Sequence, residues 1–258
     1  MKERTGIQSV EVGFTLLDVL GQARGPLMLR DLAAQAGMSA AKAHRYLVSF
    51  QRLSLVVQDA ASSRYDLGPA ALRLGLASLS RLDAVKLARE RMPELMPQIG
   101  HTLALAVWGN HGPTIVHWEE APSALTVNLR LGDVMPLLTS ATGRCFAAWA
   151  SREAIAPLLA QELALAQRQG LANVPATPAA VDAMLAEVRQ HGLGRVVDVL
   201  LPGVAGFCAP VFDADGHLAL GILSMGPTAT FDPSWDGAVA TPLRACAARL
   251  SADLGFGG

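Results

Sequence analysis

The stretch LRDLAAQAGMSAAKAHRYLVSF, residues 29–50, constrains this chain more than any other part of it. Apolar residues recur at helical spacing on both sides of a single glycine, Gly37. Leu29 and Leu32 are expected to face inward, and Ala33 to sit where two helices cross too closely for a larger side chain. Gly37 falls at the turn, where a positive φ favours glycine. Met38 plugs the corner, Ser39 offers an N-cap oxygen to the next helix, and Ala43 and Tyr46 return to the shared core. A short helix, a glycine turn and a second helix in this order form a helix-turn-helix. The second helix then exposes Ser39, Ala40, Ala41, Lys42, His44, Arg45 and Val48.

That face suits DNA. Ser39 and Lys42 lie near the helix N-terminus, where phosphates or base edges come within reach. Arg45 can reach a guanine or a phosphate, and Ala40 and Ala41 can touch thymine methyl groups. Next comes LVVQDAASSRYDLG, two short β-prone runs around a polar turn, which predicts a hairpin. Its Ser62, Ser63 and Arg64 would lie over the adjacent backbone as a wing. Phosphate contacts of this kind carry affinity, and base contacts carry choice of sequence. The competing explanation is an amphipathic helical hairpin with a solvated basic face. The cap, the glycine turn and the hairpin occurring in order weigh against it.

Charge is divided in the same sense. Residues 1–80 hold nine Lys/Arg against six Asp/Glu, a net of +3. Residues 81–258 hold twelve against sixteen, a net of −4, which closes the overall −1. The first piece can approach phosphates more readily than the second.

The remainder predicts an α+β domain. Residues 84–99 are helical, strands follow at 102–109 and 114–119, and TVNLRLG (126–132) is a third apolar run. Two helices occupy roughly 142–168 and another runs to Gly192. Strands return at 194–199, 205–212 and 217–225, and a last helix starts near Pro233. A sheet of about six strands results. The expected domains are 1–68 for DNA binding, 69–82 as a connecting helix and 83–258 as the second domain.

Other chemistry finds little support. No apolar run reaches the roughly 18 residues of a membrane span, because Arg73 interrupts the nearest, Leu67–Leu79. No secretory signal is expected. Cys145, Cys208 and Cys246 are odd in number and far apart, which fits reduced thiols in a cytoplasm and no zinc site. His101, His111 and His117 lack the spacing of metal ligands. Ser140 and Ser224 lack a nucleophile elbow, and Gly192 and Gly194 lack the third glycine of a dinucleotide loop. Asp213 and Asp215 read as turn residues, not as a calcium loop. Trp108 and Trp118 can stack on an aromatic ligand or pack in a core. No cofactor, metal or catalytic residue is expected.

Several motifs resemble the IclR family of bacterial regulators. They are GIQSVEVGFTLLDVL, the helix-turn-helix above, RYDLGPAALRLG, PLLTSATGRCFAAW and GVAGFCAPVFDADGHLALGILSMGP. The resemblance spans nearly the whole chain. It implies a winged helix-turn-helix, a linker helix and a GAF-like effector-binding domain with a central antiparallel sheet. It further implies a palindromic operator of double-stranded DNA, a homodimer that can pair into a dimer of dimers, and no membrane. The effector it implies is a small organic acid or aromatic catabolite, and the action is that of a repressor or activator. Carried over residue by residue, the pocket is lined by Val127, Ala141, Thr142, Asp198, Gly206, Cys208, Leu223 and Met225. Alternate residues on the last two strands share a face, in keeping with this set. Thr142 and Gly143 open a helix whose free N–H groups can hold a carboxylate. Relatives that bind small acids often carry serines where Leu223 and Met225 stand, so this pocket suits a larger, more apolar or aromatic effector. The alternatives are an enzyme that uses the second domain's cavity, with Cys208 as a thiol nucleophile, and a DNA-binding protein with a vestigial pocket.

Overall fold

A computed structural model describes residues 6–23, 25–79, 83–121, 129–170 and 173–257. The chain divides into two compact units, Met1–Leu82 and Asp83–Gly258.

The first unit opens with three helices, α1 (Gln8–Gln22), α2 (Leu29–Gln35) and α3 (Ala40–Arg52). Its core gathers Leu16 and Leu20 of α1, Leu32 and Ala33 of α2, and Ala43 and Leu47 of α3. Tyr46 and Phe50 are half-buried against it. They need space on α1, and Gly13 provides it: a Cβ there would meet Tyr46 Cδ1 at 3.0 Å and Phe50 Cζ at 3.1 Å. Between α2 and α3, Gly37 adopts φ +65°, the left-handed conformation that glycine reaches without steric cost. The hairpin consists of β1 (Val56–Gln58) and β2 (Tyr65–Leu67), paired antiparallel with Val57 opposite Asp66. Leu27 adds an antiparallel bridge to Tyr65, through hydrogen bonds of 2.9 and 2.8 Å. Helix α4 (Pro69–Leu79) follows.

The second unit begins with α5 (Ala84–Ile99), capped by the Asp83 carboxylate, which accepts the Lys86 N–H at 3.0 Å. Strands β3 (Thr102–Gly109) and β4 (Gly112–Glu119) form a hairpin. Helices α6 (Ala141–Trp149), α7 (Arg152–Gln169) and α8 (Pro178–His191) come next. Strands β5 (Gly194–Val197), β6 (Val204–Phe212) and β7 (Leu218–Pro227) and helix α9 (Ala240–Asp253) complete it. The strands form one antiparallel sheet in the order β4-β3-β7-β6-β5. α6 and the core of Ala104, Ala106, Cys145, Phe146, Cys208, Leu223 and Met225 lie on one face. The intervening strand residues, such as Leu103, Phe207 and Ile222, point to the other face, where α5 and α9 pack.

Two expectations are corrected. The described residues show five strands in this sheet, not six. Of the run TVNLRLG, residues 126–128 lie outside the described residues, and Leu129–Gly132 form no strand. The Asp133 carboxylate takes the Arg130 N–H at 2.8 Å and closes a turn there. The last helix starts at Ala240 and not near Pro233, because the Asp232 carboxylate accepts the N–H groups of Ser234 and Ala238 at 3.0 and 3.1 Å. Those bonds hold residues 232–238 in an irregular turn.

Candidate functional site

Two places have the makings of a site: the outer face of α3 with the β1–β2 turn, and the cavity beneath the start of α6.

On α3, the burial pattern separates two faces. Ala43 and Leu47 are fully buried, while Ser39, Ala40, Ala41, Lys42, His44 and Arg45 are exposed. Val48 differs from expectation, being half-buried. Ser39 caps the helix, its Oγ accepting the Lys42 N–H at 3.4 Å. Lys42, His44 and Arg45 have no acidic partner within ion-pair distance among the described residues. The helix therefore presents a cation near its N-terminus, two further basic side chains and two small methyl-bearing residues on one solvent face.

The wing is shaped by Asp59. Its Oδ1 accepts both the N–H and the Oγ–H of Ser62 at 2.6 Å, which holds the Asp59 carboxyl below the usual carboxylate range. Gln58 Nε2 donates to the Ser63 carbonyl at 3.2 Å, and Ser63 takes φ +56°. Ser62, Ser63 and Arg64 are all exposed. Arg64 spends one guanidinium N–H on the Pro26 carbonyl at 3.1 Å, which fixes its direction and leaves donors for another partner.

The second place depends on how closely α6 approaches the sheet. A Cβ at Gly143 would collide with the Pro136 carbonyl oxygen, and one at Gly194 with the Ala141 carbonyl oxygen. Gly221 leaves room for Cys208 Sγ and the Phe146 ring. Arg144 pins the same helix from its outer side. It donates to the carbonyls of Leu138 at 2.9 Å, Arg195 at 2.9 Å and Asn173 at 3.3 Å, and its burial pulls the guanidinium pKa down.

At the start of α6, Ser140 Oγ accepts the Gly143 N–H at 2.8 Å and donates to the Pro136 carbonyl at 2.7 Å. The N–H groups of Ala141 and Thr142 have no acceptor among the described residues. Both residues line a cavity of about 30 Å³ whose wall also includes Leu129, Met135, Val196, Leu200, Val204 and Leu223. Of the residues singled out from the sequence, Ala141, Thr142, Gly206, Leu223 and Met225 line this cavity. Val127 lies outside the described residues.

Cys208 and Asp198 are placed elsewhere. Cys208 lies on the same sheet face but deeper, under α6 beside Cys145 and Gly221. Burial raises the Cys145 thiol well above its ordinary range, and the adjacent Cys208 adds to this. Cys208 is itself fully buried on an apolar face, where a thiol packs as a small hydrophobe. Asp198 is exposed with φ +55°, and its Oδ1 accepts the Gly203 N–H at 2.6 Å. It is the clasp of the loop that carries Leu200 and Leu201, two wall residues that the sequence pattern did not single out. Met135 and Leu129 were also missed. Their one sequence signal is that apolar side chains recur in a segment rich in turn residues.

The remaining candidates resolve into local structure. Trp108 packs against Phe146 with ring centroids 6.1 Å apart, and Trp118 is half-buried against the same core. His101 is buried against Phe231, His111 sits in the β3–β4 turn, and His117 faces Glu119 at 3.9 Å. Asp213, Asp215 and His217 gather within 4.8 Å of one another at the β6–β7 turn. Asp213 Oδ1 accepts the N–H groups of Asp215 and His217 there, as turn chemistry requires. Among the described residues, no helix is long and apolar enough to cross a membrane.

Comparison with known proteins places both sites in context. The model of the bacterial transcriptional regulator IclR C-terminal domain matches residues 76–252, and the IclR helix-turn-helix domain matches residues 9–60. The glycerol operon regulatory protein of Streptomyces griseus is 32% identical over 97% of this chain and 98% of its own length. The HTH-type transcriptional regulator KdgR of Escherichia coli is 26% identical, covering 99% of this chain and 95% of that protein. The crystal structure of Pseudomonas aeruginosa HmgR is 38% identical, with a TM-score of 0.89 over 98% of this chain and 100% of that one. The Agobacterium tumefaciens repressor BlcR shares the fold at a TM-score of 0.81 and 20% identity.

Proposed function

The chain belongs to the IclR family of bacterial transcriptional regulators, and from that premise we propose that it regulates a promoter by laying α3 in the DNA major groove and releases or engages it in response to a small acid. The observation that carries the DNA half is the exposed, unpaired face of α3 above a buried stripe on the same helix. Arg45 reads a guanine edge, Lys42 holds a phosphate, His44 lies between them, and Ala40 and Ala41 allow the backbone of α3 close to thymine methyls. Ser63 and Arg64 hold the neighbouring backbone. Named relatives are regulators of transcription, and this supports regulation over catalysis.

A second copy of the chain is the partner that the first unit favours. Ile7, Val10 and Phe14 form a stripe at i, i+3 and i+7 along α1 and its cap, and they are 69%, 64% and 62% exposed. Leu72 and Leu74 of α4 are likewise exposed. A dimer built on these surfaces pairs two copies of α3 and calls for a palindromic operator.

The effector half rests on the α6 start. Two free N–H groups at a buried helix N-terminus favour a carboxylate, and the apolar wall favours a body larger than acetate. The effector biases one arrangement of the dimer over another, by no more than its difference in affinity for the two.

Footprinting of the protein on DNA flanking its own gene tests this. Protection of an inverted repeat at moderate salt, altered by a carboxylic acid, is the expected result. Absence of any protected site overturns the regulator proposal. Protection that no acid alters removes the effector half and leaves a DNA-binding protein with a vestigial pocket.

A further inference from the structure

The cavity beneath α6, at about 30 Å³, holds little more than a water molecule. Small-molecule sites usually measure about 300–1,000 Å³. A second cavity of about 550 Å³ lies beside it, between α7 and the segment 134–139. Met135 and Leu200 line both cavities and so stand at the boundary between them.

That boundary can move while the backbone around it stays. Met135 donates its N–H to the Pro113 carbonyl at 2.7 Å, and Ile115 donates to the Asp133 carbonyl at 3.0 Å, which ties the segment to β4. The methionine side chain is unbranched, with three rotatable bonds, and adapts to new surroundings at small cost. Leu200 rides on the loop closed by Asp198 and Gly203, and Thr228 further anchors that loop with a 2.9 Å bond to the Gly203 carbonyl.

The large cavity is apolar where it is deep. Leu137, Leu138, Ala166 and Val174 are buried in its wall, whereas His111 and Gln161 are exposed. Its carboxylate, Glu162, already accepts the N–H groups of Leu137 and Leu138 at 2.7 and 2.9 Å. A second acidic group on a ligand would meet that charge.

We propose that the effector site is bipartite, with an acid-binding head at the start of α6 and an apolar tail site in the large cavity, and that Met135 sets the length of ligand admitted. The ligand class is a monocarboxylic acid with an extended apolar body. This deepens the acid-effector proposal above and rests on it. Binding moves the Met135 and Leu200 side chains aside and makes the two cavities continuous. Asp198 acts as a positioning residue by holding the Leu200 loop.

Straight-chain alkanoates from acetate to decanoate, together with α,ω-dicarboxylates of matching length, test this by calorimetry on the full chain. Affinity for alkanoates is expected to rise with length, by about fourfold for each methylene group buried. Dicarboxylates of equal length should bind more weakly. Met135→Ala should tighten binding of the long acids and leave the short ones little changed. Met135→Phe, which keeps the boundary filled, should lose the long acids and retain the short. Circular dichroism on both variants establishes that they fold. If wild type and both folded variants share one length profile, the bipartite site is wrong while acid binding stands. If no alkanoate binds any of the three, the acid-effector proposal itself fails.

Discussion

Two helices in this chain begin with the same chemistry and end in opposite environments. Both α3 and α6 are capped by a serine whose Oγ accepts an N–H three residues on, from Lys42 at 3.4 Å and from Gly143 at 2.8 Å. The first turn of α3 is solvent-exposed, while that of α6 is buried, with Thr142 only 1% exposed. A helix N-terminus favours negative charge in either case. Burial decides which anion it can take. The open end suits a polyanion that arrives with its own water and counterions. The closed end suits one small carboxylate stripped of water, where each hydrogen bond counts for more.

At the buried end, packing dominates. Gly143→Ala should cost the second unit about 3 kcal/mol, because the new Cβ meets the Pro136 carbonyl and α6 must lift from the sheet. The measurement is thermal or denaturant unfolding, and the helix-turn-helix unit should retain its own stability. The next largest effect falls on DNA. Arg45→Ala should weaken binding to the cognate site by about 2 kcal/mol and relax choice at one base pair. Competition binding against site variants checks this, and an equal loss on every sequence would make Arg45 a phosphate contact instead.

The two caps sharpen the contrast. Ser140→Ala removes a buried cap together with the 2.7 Å bond from its hydroxyl to the Pro136 carbonyl, which keeps only the Ser140 N–H at 3.3 Å, at a cost of about 1–2 kcal/mol. Ser39→Ala removes an exposed cap with a longer bond and should cost about 0.5–1 kcal/mol. Equal losses would show that burial does not distinguish the two ends. The smallest effect concerns the wing. Ser62 holds the folded Asp59 carboxyl below its ordinary pKa, first through its hydroxyl. The turn is therefore supported above the usual carboxylate range and loses that support as pH falls through it. Protection of the Ser62 amide, taken as its exchange rate relative to the intrinsic rate at each pH, should fall across that interval, and Asp59→Ala should remove this change.

How much of this was legible depended on the range of the interactions. The helix-turn-helix was readable because its determinants are local: a periodic stripe, a serine cap and a glycine at φ +65°. On the last two strands, Gly206, Leu223 and Met225 came from the family resemblance, and strand alternation agreed with them; all three line the cavity. Alternation could not tell depth, and Cys208 shares their face yet lies under α6 instead of in the cavity. Asp198 was expected in the pocket lining, yet it is exposed and bonds Gly203 across a loop whose shape no periodicity encodes. Met135 and Leu200 escaped for the same reason, since irregular backbone brings them to one wall.

Entry of the exposed face of α3 into the major groove can be read out by a cleaving group placed on that face. Cys145, Cys208 and Cys246 are buried, so a thiol introduced as Ala41→Cys can carry an iron chelate selectively. Strand scission confined to two short windows, separated by one helical turn of DNA or a multiple of it, is the predicted result. Retained DNA binding with scission scattered along the duplex, or with none, would contradict it.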